Sequence, residues 1–276
     1  LWVVEGAGTY GARLARVAAD AGYTVVEAPR MNARANRGIG KSDPLDARRI
    51  AAAALPLHET QLRVPRADDG VRAAVKVLLA SRDHMSTERT ATINALTALL
   101  RVVHLGVDAR RPLVATQIAT IAAWRPRDED LATTTARGEA TRLAKRVTAL
   151  DDELKDITKQ ITDMVRQSPA GDLLDQPGIG PITAAVALTS WSHLGRIRSE
   201  AAFASLAGAS PIPASSGNTV RHRINRGGDR RLNRALHMAI VTRMRMDPRT
   251  RAYVERRTTE GRTLREIRRC LKRYLA

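Results

Sequence analysis

Aromatic residues are scarce in this chain: one Phe, three Trp and four Tyr make up 3% of the sequence. Strands of sandwiches and barrels draw on aromatic and β-branched side chains, so a mainly β fold is disfavoured and packed helices are expected. The single cysteine, Cys270, excludes an internal disulfide framework and a four-cysteine zinc site, and fits a reducing cytoplasm. No apolar run approaches the ~20 residues that span a bilayer, and no secretory signal opens the chain, so a soluble protein without a membrane partner is expected. His58, His84, His104, His193 and His237 show no metal-ligand spacing, which argues against zinc. Acidic residues are also outnumbered, 28 against 46 Lys and Arg, leaving a net charge of +18. A polyanion is the expected partner, and nucleic acid fits because counterion release rewards each phosphate neutralised.

The charge is concentrated. Residues 221–276 carry 18 Arg or Lys against 5 Asp or Glu, +13 of the total, more than a solvated helix face requires. A length of 276 residues allows one large domain or two ordinary ones. The chain starts inside an apolar run without an initiator Met and stops inside a basic helical pattern, so both ends read as cut. Residues 1–5 predict a strand, 11–21 a helix and 23–28 a second strand, a βαβ-like unit. A basic loop at 30–40 leads to a helix beginning at Asp43. Beyond 70 the pattern is helical, with Val71, Val75, Leu78, Met85, Ile93, Leu96, Leu100 and Val103 mostly three or four apart. Leu143, Val147, Leu150, Leu154, Ile157, Ile161 and Met164 form a heptad seam, which predicts either packing against a helix of the same chain or an intermolecular coiled coil.

Four short motifs carry candidate chemistry. In Lys41-Ser42-Asp43-Pro44-Leu45-Asp46, Pro44 fits the first helical position and Asp43 the cap, so Asp43 and Asp46 share the face of one turn. With Glu5 they suit a hard divalent cation, whereas a capping box requires no metal. Gly6-Ala7-Gly8-Thr9-Tyr10-Gly11, followed by Glu27, matches a Rossmann dinucleotide-binding fingerprint, but Glu5 would repel a pyrophosphate and no second βαβ half follows. Pro177-Gly178-Ile179-Gly180 predicts a helix, a tight turn and a second helix. Gly178 and Gly180 there either admit a phosphate to backbone amides or simply turn the chain. Finally, Ser215-Ser216-Gly217 lies in a loop before Arg221, His222 and Arg223, where a serine could attack a phosphate whose charge arginines offset. His222 reads as a base or as a surface residue of a basic helix. Arg226, Arg230 and Arg231 flank a Gly227-Gly228-Asp229 helix start and are candidate phosphate contacts.

Taken in order, the motifs resemble those of the IS one-ten family of insertion-sequence transposases over nearly the whole chain. They are Glu5-Gly6-x-Gly8-x-Tyr10, Lys41-Ser42-Asp43-x-x-Asp46-Ala47, Pro177-Gly178-Ile179-Gly180, Gly208-x-x-Pro211 with Ser215-Ser216-Gly217, Gly228-Asp229 with Leu232, and Asp247-Pro248 with Tyr253 and Gly261. The resemblance implies an amino-terminal RuvC-like, ribonuclease H-fold domain with a DEDD acid set and a carboxy-terminal transposase domain with a nucleophilic serine. Glu5, Asp43 and Asp46 match the last three acids, and Ser216 the serine, with Ser215 as the fallback. It further implies magnesium-dependent DNA recombination through a phosphoserine link and a structured guide RNA. Family members form homo-oligomers, dimers or tetramers, that join the acids of one subunit to the serine of another.

The expected architecture is α/β plus mostly α. It comprises a truncated RuvC-like domain with a helical extension at 1–125, a coiled-coil helix at 126–170 and a basic transposase domain at 171–276. The first acid belongs on a strand before Leu1, so impaired catalysis with retained nucleic-acid binding is expected of the chain as it stands. Asn233 occupies a position where the family often carries Arg. A bacterial cytoplasm, at the nucleoid, is the expected location. The rivals are a RuvC-like endonuclease or junction resolvase using water, a non-catalytic Arg-rich nucleic-acid-binding protein, and a Rossmann dinucleotide-binding protein.

Overall fold

Strands β1 (Trp2–Val4) and β2 (Val25–Glu27) pair in parallel, in the register Trp2↔Val25, Val3↔Val26 and Val4↔Glu27. Parallel neighbours need a crossover, and α1 (Ala12–Asp20) supplies it. Its Ala15 and Ala18 are buried with Val4, Ala7 and Val25, small side chains that let the helix lie close on the strands. The predicted βαβ unit therefore forms. This computed structural model describes residues 1–29, 31, 40, 42–66, 70–218, 222–223 and 225–276, and most of the basic loop read at 30–40 lies outside them. Among the described residues the sheet holding β1 and β2 has two strands, and the rest is mainly helical.

The chain divides into two compact units. The first combines Leu1–Ala73, Ser190–Asn233 and Arg269–Ala276; the second combines Ala74–Thr189 and Arg234–Arg268. In the first, α2 (Asp43–Ala54) packs beside β1. The same unit holds α7 (Glu200–Leu206) and a hairpin of β3 (Ile212–Pro213) with β4 (His222–Arg223), in the antiparallel register Ile212↔Arg223 and Pro213↔His222. His222 is thus a strand residue, contrary to the helix expected there. The strand pairing with Pro213 draws it out of the basic helix, which starts only at Arg230.

The second unit is organised by α3 (Gly70–Val102) and α5 (Leu131–Arg166), with α4 (Ala115–Ala122) between them in sequence. Leu96 and Leu100 share one core with Ile118, Ile121, Ala140, Ala144 and Val147. The long helices are antiparallel, because contacts that rise along one fall along the other: Arg82 Nε donates to Thr158 at 3.4 Å, and Arg89 pairs with Asp151. The predicted seam is real as a buried stripe, with Val147, Leu150 and Ile161 fully buried and Ile157 nearly so. Because the chain itself covers them, these residues are not available to an intermolecular coiled coil. Asp130 caps α5 by accepting from the Ala132 and Thr133 amides at 2.9 and 3.1 Å.

The segment before α6 (Pro181–Trp191) departs from expectation. A short 3-10 turn, Gly171–Asp175, stands where the first of two helices was predicted. A Cβ at Gly171 would sit 2.8 Å from the Arg166 carbonyl oxygen, so the chain turns back on α5 too tightly for a full helix to follow. Gly178 has φ +77, and a Cβ there would lie 2.7 Å from the Ala239 carbonyl of α8 (Arg230–Met246), while Arg243 Nε donates to the Pro177 carbonyl at 2.6 Å. Nothing lies within 4 Å of a Cβ built on Gly180. The α9 helix (Pro248–Thr259) starts from Asp247, whose carboxylate accepts from the Thr250 amide, and α10 (Leu264–Leu275) buries Ile267 and Leu271.

In the first unit two glycines meet backbone to backbone. A Cβ on Gly228 would lie 2.4 Å from the Gly208 nitrogen and 2.8 Å from the Leu206 carbonyl oxygen. The Asp229 amide donates to that same carbonyl at 2.6 Å, and its carboxylate caps α8 at the Arg231 and Leu232 amides. We therefore predict that Gly228→Ala costs about 1–3 kcal/mol of stability, as overpacking against rigid backbone does. Thermal unfolding of this variant beside Gly180→Ala, which meets no neighbour, checks it; equal melting temperatures would sink the prediction.

Candidate active site

The acids enter from three positions of the first unit. Glu5 directly follows β1 and is exposed, and Asp43 and Asp46 occupy the first turn of α2. The predicted cap shifts by one residue: Ser42 is the N-cap, Asp43 the first helical residue, and no side chain makes a capping bond. Ser42 is extended, at φ −155 and ψ 155, so the helix begins after it and the reciprocal bonds of a capping box do not form. Neither carboxylate is therefore spent on a cap. Asp46 is instead held by Arg49 at 3.1 Å.

Tyr10 links the two elements. Its phenol pKa is pushed up, first by desolvation and then by the charge of Glu5, a hydrogen bond with Glu5 and the charge of Asp46. The strand-end acid and the helix-turn acid therefore both act electrostatically on one side chain. Oxygen donors of this kind suit a hard divalent cation. Among the described residues, however, no three acidic, histidine or cysteine side chains stand close enough together to hold an ion.

Ser215 and Ser216 lie in the exposed connection between β3 and β4, where Gly217 takes φ +55. Arg223 on β4, Arg226 beyond it and Arg230 at the start of α8 are exposed, and Arg231 is half-buried. Arg221 lies outside the described residues. The acids and Ser216 thus belong to one compact unit but to separate elements of it. Asn233, at the position read as a lost phosphate contact, is engaged locally. Its amide donates to the Ala207 carbonyl at 2.6 Å and its oxygen accepts from Lys272 at 3.0 Å. Burial, and then the charge of Arg269, lowers the Lys272 pKa.

One group of residues carried no signal in the sequence. Arg196, with its side chain only 8% exposed, donates to Glu27 Oε2 at 2.8 Å and to the Val64 carbonyl at 2.5 Å. It joins the segment that leads to the serine hairpin with the end of β2. Glu27, the acid a dinucleotide fingerprint would offer to a ribose, is therefore committed to an arginine. Beside the joint stands His193, accepting or donating at Ser192 Oγ over 3.1 Å, with Ser192 itself at φ 77. The His193 pKa is held low by desolvation, then by Arg196 and Arg72, with Glu27 opposing.

Acids at the end of β1 and at the start of the neighbouring α2, with an exposed serine in a loop that leads to exposed arginines, fit a nucleic-acid-processing protein. Comparison with known proteins makes the class specific. The family model described as Transposase IS116/IS110/IS902 family matches residues 171–255, and a transposase model of the IS110 DEDD kind matches residues 1–105. The 42 kDa protein of insertion element IS900 from Mycobacterium paratuberculosis is 30% identical over 268 residues, covering 82% of this chain and 67% of its own length. The 43.6 kDa protein of insertion element IS110 from Streptomyces coelicolor is 27% identical, covering 95% of this chain and 76% of its own. The chain belongs to the IS110/IS116/IS902 family of insertion-sequence transposases. It is thus of a DNA-binding, DNA-recombining class, its DEDD region points to use of a divalent metal, and no helix among the described residues is long and apolar enough to cross a membrane.

The Arg196 joint can be tested by substitution on both of its sides. Arg196→Ala leaves Glu27 half-buried without its cation and is expected to cost about 3 kcal/mol, while Arg196→Lys recovers only part because it cannot reach both acceptors. Chemical denaturation measures both, and an Ala variant as stable as the parent refutes the joint. For His193, the unfolded chain takes up a proton at ~6.5 while the folded one resists it to lower pH. Stability is therefore complete above that value and declines as pH falls from it toward the depressed folded pKa. In His193→Gln this part of the decline should vanish from the pH dependence of the melting temperature.

Proposed function

We propose that this transposase cuts and rejoins DNA by transesterification, with Glu5, Asp43 and Asp46 supplying part of the ligand set for magnesium and Ser216 acting as nucleophile. The observation that carries the reading is that an acid following β1 and acids opening the α2 helix packed beside it share one compact unit with an exposed serine whose loop leads to exposed Arg223 and Arg226. Magnesium, when bound by these acids, would offset negative charge on the scissile phosphate. Ser216 Oγ forms a bond to phosphorus as the bond to a sugar oxygen breaks, and overall the serine proton ends on the departing sugar. Arg223 and Arg226, with Arg221, offset the charge that develops on the phosphate. Attack of a strand hydroxyl on the phosphoserine then rejoins DNA without an external energy source.

We further infer a RuvC-like character for the acid-bearing part and a three-way division of labour at 1–125, 126–170 and 171–276. The positions of the two family matches, at either side of the long α5, support this division. A structured guide RNA and a dimer or tetramer complete the proposal. The excess of exposed arginine in the last fifth of the chain supports the first of these, since it exceeds what one serine loop needs. Gly180, open above the turn into α6, is the better placed of the two turn glycines to admit a phosphate, whereas Gly178 is packed.

The test is a trapped adduct. In a cleavage-competent form of the protein, Ser216→Ala should abolish a covalent protein–DNA species and lower strand exchange by ~10³-fold or more, whereas Ser215→Ala should retain both. Asp46→Asn should lose strand cleavage while DNA binding persists. Undiminished cleavage by Ser216→Ala would establish hydrolysis by water, the resolvase alternative.

A further inference from the structure

Tyr10 is built into the turn in a way that its proximity to the acids does not require. The turn from residue 6 to residue 11 is closed on the Gly6 carbonyl, which accepts from the Thr9 amide at 2.7 Å, the Gly11 amide at 3.0 Å and Thr9 Oγ1 at 3.2 Å. Gly6 takes φ +60, and a Cβ on it would lie 2.6 and 2.7 Å from Cε1 and Cζ of Tyr10. The ring thus rests directly on glycine backbone, in a place that any other residue at position 6 would deny it. It is nevertheless 77% exposed. Beside it, Gly8 faces open space, so no side chain shields that flank of the turn.

A ring held by backbone on one side and bare on the other wins little from folding, since most of its apolar surface still meets water. In a chain with eight aromatic residues, such a ring beside a proposed phosphodiester-cutting site is suited to a second π-system. Unpaired bases stack on exposed Tyr faces, and every base has such a face, so contact of this kind is tolerant of sequence. Gly6, on whose backbone the ring rests, directly follows Glu5, so the ring is held close to that acid. Seating the ring on backbone lowers the entropy lost when a base settles on it.

We propose that Tyr10 is a stacking platform for an unpaired nucleobase of the DNA strand whose backbone is presented to Glu5 and Asp46. The strand is thereby placed by an aromatic contact at the acids as well as by arginine contacts with phosphates elsewhere. This assignment rests on the reading of Glu5, Asp43 and Asp46 as the phosphate-processing acids. It adds a substrate contact distinct from them.

The probe is a short single-stranded DNA containing 2-aminopurine, whose fluorescence is quenched on stacking. It is titrated with the whole chain at raised salt, so that phosphate contacts on the basic surface contribute less. Wild type and Tyr10→Phe should quench alike, because the ring is kept. Tyr10→Ala should weaken the quenching interaction by roughly 5- to 100-fold. Survival of the quench in Tyr10→Ala overturns the proposal, as does an equal loss in Tyr10→Phe, which would make the hydrogen bond with Glu5 the real contribution. The same titration with 2-aminopurine mononucleotide should give no Tyr10-dependent quench; if it does, the ligand is a free nucleotide and the strand assignment falls. In Asp46→Asn the quench should persist while cleavage is lost. Persistent cleavage there would count against the acids' role, leaving the platform to be judged by the Tyr10 variants. Melting temperatures close to wild type, expected for so exposed a side chain, show that the variants are folded.

Discussion

Arg196 donates to Glu27 across 169 positions of sequence, and the first compact unit depends on that pair. The βαβ segment and the serine hairpin have little else in common: one is a short parallel pair with a crossover, the other a two-residue antiparallel hairpin on a glycine-tight base. A guanidinium can satisfy a carboxylate and a carbonyl at once because its donors are rigidly forked, which suits a site where two chain segments must be fixed in angle as well as distance. Once those donors are out of water the pair must stay closed, since an uncompensated half-buried carboxylate costs more than the intact pair contributes. Specific geometry, more than raw stability, is what such a pair supplies.

Around this joint the chemistry-bearing residues are placed by backbone constraints. Glu5 follows a strand, Asp43 and Asp46 begin a helix that packs beside that strand, and the glycines between Glu5 and α1 let the chain double back to set Tyr10 over its own turn. Ser216 is placed by a hairpin whose base is the contact of Gly208 with Gly228, and that contact also aligns Asp229 to cap α8. Short irregular segments of this sort hold functional groups well only when rigid elements anchor both their ends. In this unit the anchors are β1, α2, α7 and α8.

Much of the architecture was legible in the order of residues. Short apolar runs marked both strands, the helical spacing marked α3 and α5, and the colinear short motifs pointed to the transposase family that the comparisons establish. The misplacements share one physical cause. Asp43 has the chemistry of a cap, but the backbone of Ser42 is the one that is extended; His222 has helical neighbours, but Pro213 pairs with it as a strand; residues before Pro177 have helical composition, but Gly171 is pressed against a carbonyl of α5. In each case a contact or a backbone angle set elsewhere outweighed a local preference of well under a few kcal/mol.

Net charge, the scarcity of aromatics and cysteine, the helical periodicities and the identity of the candidate acids and serine are properties of the sequence alone, because each depends on residue type and spacing. Tertiary structure decided which of those residues keep company. Whether the heptad seam met another chain or its own α3, whether Glu27 served a ribose or Arg196, and whether the ring of Tyr10 would rest on Gly6 beside Glu5 were all left open by spacing. The reason is that ion pairs, ring contacts and glycine-to-backbone approaches act over a few ångströms in space and carry no period along the chain.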